Sequence, residues 1–203
     1  MAAIILAAGR STRMGQSKPL LRYGGPAGRT FVAQLVEVLK TSGLEILVVG
    51  RPEDDQLQAE TGRCGATFIS NPDADRGQLS SLQVALTALE TAQGAGPDAV
   101  MVMPADAPLI SSAAVARLLL AADQSDAQIL RATYQGRHGH PVVFRRATFA
   151  ELHAADPEVG ARAVVRADPA RVLDVDVEEA GVTIDFDTPD QYRRHFGRSP
   201  FSR

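Results

Sequence analysis

The chain predicts an α/β fold: three layers, with a mostly parallel sheet and helices on both faces. Two observations carry this reading. Short apolar runs of strand length alternate along the chain with segments whose apolar residues recur at helical spacing. The runs are also separated by loops too short to hide a second domain. Residues 3–7 read as a buried first strand. In residues 31–40 the apolar positions 31, 32, 35, 36 and 39 mark a helix. Residues 46–49 form a second strand that Gly50 ends, and residues 66–69 a short third. Residues 79–89 are helical, and residues 99–103 form a strongly buried strand. Ser111 and Ser112 read as N-caps for a helix over 113–122. Strands at 127–133 and 141–144 flank a turn at 135–139. A helix over 152–166 is interrupted around 156–160. Late strands are expected at 173–177 and 183–186. Thr188-Pro189 opens a last helix, with Pro at a favourable first position. Residues 24–28 and 93–97 read as loops.

Composition bounds the class. The chain has 203 residues, enough for one α/β domain, here residues 1–196, followed by a frayed tail at 197–203. Apolar content of 45% and charge of 22% are ordinary for a globular protein. A net charge of -3 gives no overall basic field for nucleic acid. Cys64 is the single cysteine, so an internal disulfide and a cysteine-based metal cluster are excluded, and a reducing compartment fits. No apolar run reaches membrane-spanning length, and the N-terminus lacks the order of a signal peptide. The expected location is cytoplasmic.

In open α/β sheets, ligands sit at the carboxyl ends of the strands. There the first strand runs into Leu6-Ala7-Ala8-Gly9-Arg10-Ser11-Thr12-Arg13-Met14-Gly15, with Lys18 close behind. Gly9 and Gly15 permit a sharp bend and close approach of a ligand. Arg10, Arg13 and Lys18 add positive charge, and the backbone N–H groups of such a loop converge on anions. This is a phosphate cradle, but neither of the two commonest ones. Five residues separate the glycines, so the pattern is not Gly-x-x-x-x-Gly-Lys-Ser/Thr, and Gly-x-Gly-x-x-Gly is absent. Asp106 follows the strand at 99–103 almost directly. It faces the same rim as Arg13 and Lys18, where Mg²⁺ bridging carboxylate and phosphate oxygens is the usual arrangement. Asp187 reads as an N-cap before Thr188-Pro189, where acids complement the helix dipole. In 71–82, Gly77 gives flexibility and Ser80 sits near a helix start, whose free N–H groups suit an anion. His138 and His140 lack a third nearby ligand, and a turn with surface histidines is the better reading than a zinc site.

At these residues the chain resembles the MobA-like nucleotidyltransferases. Their signature is Leu-Ala-(Ala/Gly)-Gly-x-Ser-x-Arg-Met-Gly with a following Lys. It is matched here by Leu6, Ala7, Ala8, Gly9, Ser11, Arg13, Met14, Gly15 and Lys18. Motifs in family order extend the resemblance from Ile4 to about Tyr192. It implies a Rossmann-like nucleotidyltransferase fold in which an NMP moves from an NTP to a phosphorylated acceptor and pyrophosphate leaves. Carried over residue by residue, Arg13, Lys18 and Asp106 become catalytic. Asp106 and Asp187 hold Mg²⁺. Leu6, Ala7, Ala8, Gly9, Arg10, Ser11, Gly15, Asn71, Gly77, Ser80 and Ser81 contact the nucleotide. Gly139, His140 and Pro141 lie on the acceptor side, with Arg162 either beside them or a solvated helix residue.

The family's Gly-Asp-Gln-Pro is Ala105-Asp106-Ala107-Pro108 here, so Ala107 replaces its Gln, and Gln191 stands where the family often has an acid. Ala8 resembles the cytidylyltransferase branch that acts on the molybdenum cofactor, whereas the guanylyl branch has Leu-Ala-Gly-Gly. A methyl there narrows the space beside the base. The expected partners are CTP, a molybdopterin-type acceptor and a transient target molybdoenzyme or its chaperone, with no nucleic acid and no membrane. GTP, or a sugar or polyol phosphate acceptor, is the alternative. From other classes, an NAD(P)H-dependent oxidoreductase or a non-catalytic nucleotide-binding accessory protein remains open on the same scaffold.

Overall fold

The computed structural model describes residues 1–92 and 96–201. Seven strands form one sheet in the order β3-β2-β1-β4-β6-β5-β7. They are β1 Ala2–Leu6, β2 Glu45–Gly50, β3 Thr67–Ser70, β4 Ala99–Pro104, β5 Ile129–Tyr134, β6 Arg137–Arg145 and β7 Val172–Asp176. Only β6 runs against its neighbours, pairing antiparallel with β4 and with β5. The helices are α1 Phe31–Lys40, α2 Asp55–Arg63, α3 Gln78–Ala92, α4 Ser112–Asp123, α5 Phe149–Ala154, α6 Arg162–Ala167 and α7 Pro189–Phe196.

The apolar run of β1 has a simple cause. Successive side chains on a strand point to opposite faces. Ala3 and Ile5 join the core under α1, α2 and α4, with Val32, Leu57 and Leu118. Ala2 and Ile4 join the core under α3, α5 and α6, with Leu82, Leu152 and Val164. A strand covered on both faces needs no polar alternation. A third, smaller cluster of Met14, Leu21, Phe31, Phe186 and Tyr192 backs the loop after β1.

The expected fold class therefore holds, with local corrections. Residues 183–186 are not a strand. A 3₁₀ helix occupies Ala180–Thr183, and the Phe186 amide donates to the Asp106 carbonyl at 2.9 Å while its ring fills the third cluster, so no ladder partner is available. α2 carries only Leu57, Glu60 and Thr61 inward, too few apolar residues to print a period. β6 begins at Arg137, because the turn before it is a tight one. Gln135 and Gly136 both have positive φ, 49° and 75°, the pattern of a two-residue hairpin loop. Ser111 caps α4 through the Ala114 amide at 3.1 Å, while Ser112 is the helix's first residue and not a cap. The N-cap of α7 is Thr188, in a capping box with Gln191, and not Asp187. Of the loop expected at 93–97, residues 93–95 lie outside the described residues, as do 202 and 203 of the tail.

Candidate functional site

The carboxyl ends of β1, β2 and β4 open onto one rim, with β1 at the centre. The loop after β1 is built around Ser11, a non-glycine residue with φ of 53°. Its carbonyl accepts from the Met14 and Gly15 amides at 3.0 and 3.1 Å, and its Oγ accepts from the Lys18 amide at 3.0 Å. Met14 is fully buried and pins the loop to the third cluster. Gly15 has φ of +79°, the left-handed region in which a side chain is strained. Among the described residues other than its chain neighbours, no atom lies within 4 Å of where a Cβ on Gly9 would be, so the loop is open there.

Lys18 starts a short 3₁₀ helix, and its side chain is only 14% exposed. Its Nζ donates to Asp106 Oδ2 at 2.8 Å and to Asp187 Oδ1 at 2.6 Å. Arg13 reaches Asp187 at 3.0 Å. The Phe186–Asp106 backbone bond explains this convergence, because it fastens the chain before Asp187 to the end of the β4 loop. With Thr188 as the cap, the Asp187 carboxylate is free of the helix and turns to the cations. The Lys18 hydrogen bond, opposed by burial, holds Asp187 below the usual carboxylate range. Burial alone would push Lys18 down, but its bonds to Asp106 and Asp187 push it up.

These groups line a cavity of about 400 Å³, together with Leu6, Ala7, Ala8, Gly9, Arg10, Ser11, Arg51, Asp75, Gly77 and Ser81. Asn71 and Ser80 do not line it. Asn71 is fully buried and its amide is spent: Nδ2 donates to Ser80 Oγ at 3.0 Å and Ser81 Oγ at 2.9 Å, while Oδ1 accepts from the Asp73 amide at 2.9 Å. They brace the loop that carries Gly77. A Cβ on Gly77 would meet the Pro157 carbonyl at 2.7 Å, and its φ of +109° also favours glycine. Gly15 too stands behind the lining.

A second cavity of about 940 Å³ lies between β4, β6, α3 and α6. Leu79, Leu82, Val102, Val142, Phe144 and Val172 give it an apolar floor, while Arg131, His138, His140, Arg162 and Arg166 supply nitrogen donors. Gly139 and His140 line it; Pro141 is buried beneath. Gly139 is required by packing, since a Cβ would sit 2.0 Å from the Val182 carbonyl. Burial pushes the His140 imidazole down to about 4, with Asp106 opposing and Arg162 reinforcing. Leu6, Gly77 and Gln78 line both cavities and form the waist between them.

The family model for the MobA-like NTP transferase domain matches residues 3–172. The chain belongs to this family. It is 33% identical to the molybdenum cofactor guanylyltransferase of Shewanella frigidimarina over 70% of this chain and 66% of that one. It is 26% identical to the molybdenum cofactor cytidylyltransferase of Escherichia coli over 93% and 92%. Among solved structures, Rv0371c from Mycobacterium tuberculosis is similar, with a TM-score of 0.81 at 27% identity and 97% coverage of both chains.

In this MobA-like transferase two acids converge on one cation. A pair of carboxylates fits Mg²⁺, which binds through one or two carboxylates and completes its shell with substrate phosphates. Among the described residues no three of His, Cys, Asp and Glu gather as a metal group, so an ion held by Asp106 and Asp187 would complete its shell with water or substrate oxygens. No helix among the described residues is long and apolar enough to cross a membrane. Sequence reasoning missed Arg51 and Asp75 in the smaller cavity, and Arg131, Arg166 and Asp174 in the larger. The available signal for Arg51 was its position directly after the second strand, on the same rim.

Proposed function

We propose that the protein transfers CMP from CTP to a phosphorylated acceptor of the molybdenum cofactor type, releasing pyrophosphate. The observation that carries the transfer itself is the convergence of Arg13, Lys18, Asp106 and Asp187 at the mouth of the loop after β1. Two cations here balance two carboxylates. An incoming triphosphate offers Arg13 and Lys18 stronger partners than the acids they hold, and releases those acids. Asp106 and Asp187 would then hold Mg²⁺, which supplies charge stabilisation at the phosphates. Arg13 binds the leaving pyrophosphate, and Lys18 offsets charge at the reacting phosphorus. A phosphate monoester, with a second pKa of about 6, is already ionised enough near neutral pH to attack unaided. No general base is required, and catalysis is positioning plus electrostatics.

The acceptor lies in the larger cavity, where an apolar floor covers a ring system and Arg162 meets a phosphate. The waist at Leu6, Gly77 and Gln78 is where the two substrates meet. Two observations support CTP: Ala8, buried at the cavity wall, and the Escherichia coli cytidylyltransferase alignment, which spans nearly both chains. The higher identity to guanylyltransferases over shorter spans favours GTP as a second reading. Pyrophosphate release from CTP and from GTP, measured with Mg²⁺ and molybdenum cofactor, separates the two. Faster release from CTP is expected. A faster rate with GTP overturns the base assignment, and NAD(P)H oxidation without pyrophosphate overturns the reaction class.

A further inference from the structure

The sheet order puts two polar groups on opposite sides of β1 in the smaller cavity. Asp106 follows β4 on one side; Arg51 and Asp75 follow β2 and β3 on the other. The proposed reaction uses the first group for phosphates and leaves the second without a task. A nucleotide whose phosphates lie at Arg13 and Lys18 has its nucleoside at the second end, between the loop after β1 and the loop after β3.

Arg51 joins those two loops. Its side chain is 15% exposed. Its Nε donates to the Ala8 carbonyl at 2.9 Å, and an Nη donates to Asp75 Oδ1 at 2.5 Å. Asp75 also accepts from Arg10, through Nε at 2.8 Å and through an Nη to its other oxygen. These bonds from Arg10 and Arg51 hold the Asp75 carboxyl well below the usual range. A guanidinium presents its donors in a fixed plane, so one side chain can hold two acceptors at a set separation; an ammonium is a point charge and cannot.

We propose that Arg51 is a positioning residue for the nucleoside. It is a strut that fixes the distance from Ala8 to Asp75 and so sets the width of the cavity at its base and ribose end. This rests on the nucleotidyl-transfer reading. Its bonds reach the loop after β1 at Ala8 and, through Asp75, at Arg10, while none among the described residues links Arg51 or Asp75 to Arg13, Lys18, Asp106 or Asp187, so its effect falls on the nucleoside end more than on the reacting phosphates.

The test is calorimetric binding of CTP, GTP and inorganic pyrophosphate, each with Mg²⁺, to the wild-type chain and to Arg51→Ala, Arg51→Lys and Asp75→Asn. Arg51→Ala is expected to weaken CTP about tenfold while pyrophosphate stays within about twofold, as loss of one charge-assisted strut implies. It should also narrow whatever preference the wild type shows between CTP and GTP. Arg51→Lys is expected to recover only part of the loss, and Asp75→Asn to act in the same direction more weakly. Equal losses for CTP and pyrophosphate, or unchanged CTP binding, overturn the strut. If Arg51→Ala fails to fold, the Lys and Asn variants decide by the same comparison. A wild-type chain that binds neither CTP nor GTP overturns the underlying reading, and the strut with it.

Discussion

The two cavities meet at Leu6, Gly77 and Gln78, yet they are built on opposite principles. The smaller, about 400 Å³, is an ion cluster in which each cation already has an anion. The larger, about 940 Å³, is mainly an apolar floor, with arginine and histidine nitrogens around it, of which Arg131 is paired with Asp174. In the first, a ligand must offer stronger charge pairing than the protein's own acids. In the second, a ligand gains from the area it covers, roughly 25 cal/mol per Å² of apolar surface. Under the proposed assignment, the contrast would select the donor by phosphate charge and the acceptor by shape plus one anionic group.

The contrast can be broken most strongly at the ion cluster. Lys18→Ala and Asp106→Ala should each lower kcat by about 10³-fold, the scale of a lost electrostatic stabiliser, with far-ultraviolet circular dichroism unchanged. Chelation of divalent metal by EDTA should abolish turnover, and Mg²⁺ should restore it; near-normal rates in any of these cases would count heavily against the assignment. The next effect separates the cavities by pH. His140 is held neutral down to about 4 against an unfolded value near 6.5. Between those values the unfolded chain binds a proton that the folded chain does not. Stability from this group is therefore complete above about pH 6.5 and is lost as pH falls toward 4, on the order of 2–3 kcal/mol. Asp187, with its lowered value, acts in a more acidic window: its contribution is present above the unfolded carboxylate pKa and lost as pH falls through the folded one. Urea unfolding of His140→Gln should show a flattened slope over the upper window alone. An unchanged slope would remove His140 as its source.

Smaller effects sharpen the division. Arg162→Ala should raise the KM for the acceptor about tenfold, the cost of one phosphate contact, and leave the Kd for CTP unmoved. Equal effects on both substrates would place Arg162 at the shared waist. Ala8→Gly should shift the CTP-to-GTP ratio of kcat/KM only a few-fold, since one methyl in a pocket gives modest discrimination. An unchanged ratio would sink the role of that methyl.

The sequence carried the two cavities unequally. The loop from Leu6 to Lys18 was legible because backbone freedom, cations and strand position all coincide in a short segment. The parallel strands were legible because burial on both faces leaves unbroken apolar runs. α2 was not, since one inward leucine gives no period. Phe186 looked like a strand residue because its apolar character records burial in an aromatic cluster, not pairing. Arg51 and Asp75 come from separate loops, 24 residues apart, and nothing local marks their ion pair. The same holds for Arg131 and Asp174, joined across β5 and β7 at 2.8 Å. Asn71 is instructive in the other direction: its residue type suits a ligand, but its hydrogen bonds are all internal.

The central claim is that the ion cluster takes the nucleotide's phosphates and the larger cavity takes the acceptor. A crystal structure with a non-hydrolysable CTP analogue and Mn²⁺, read by anomalous scattering, tests it most directly. The account predicts the triphosphate against Arg13 and Lys18, manganese held by Asp106 and Asp187, and the cavity between α3 and α6 free of nucleotide. Triphosphate density among Arg131, Arg162 and Arg166, with Lys18 still bridging the two acids, would contradict it.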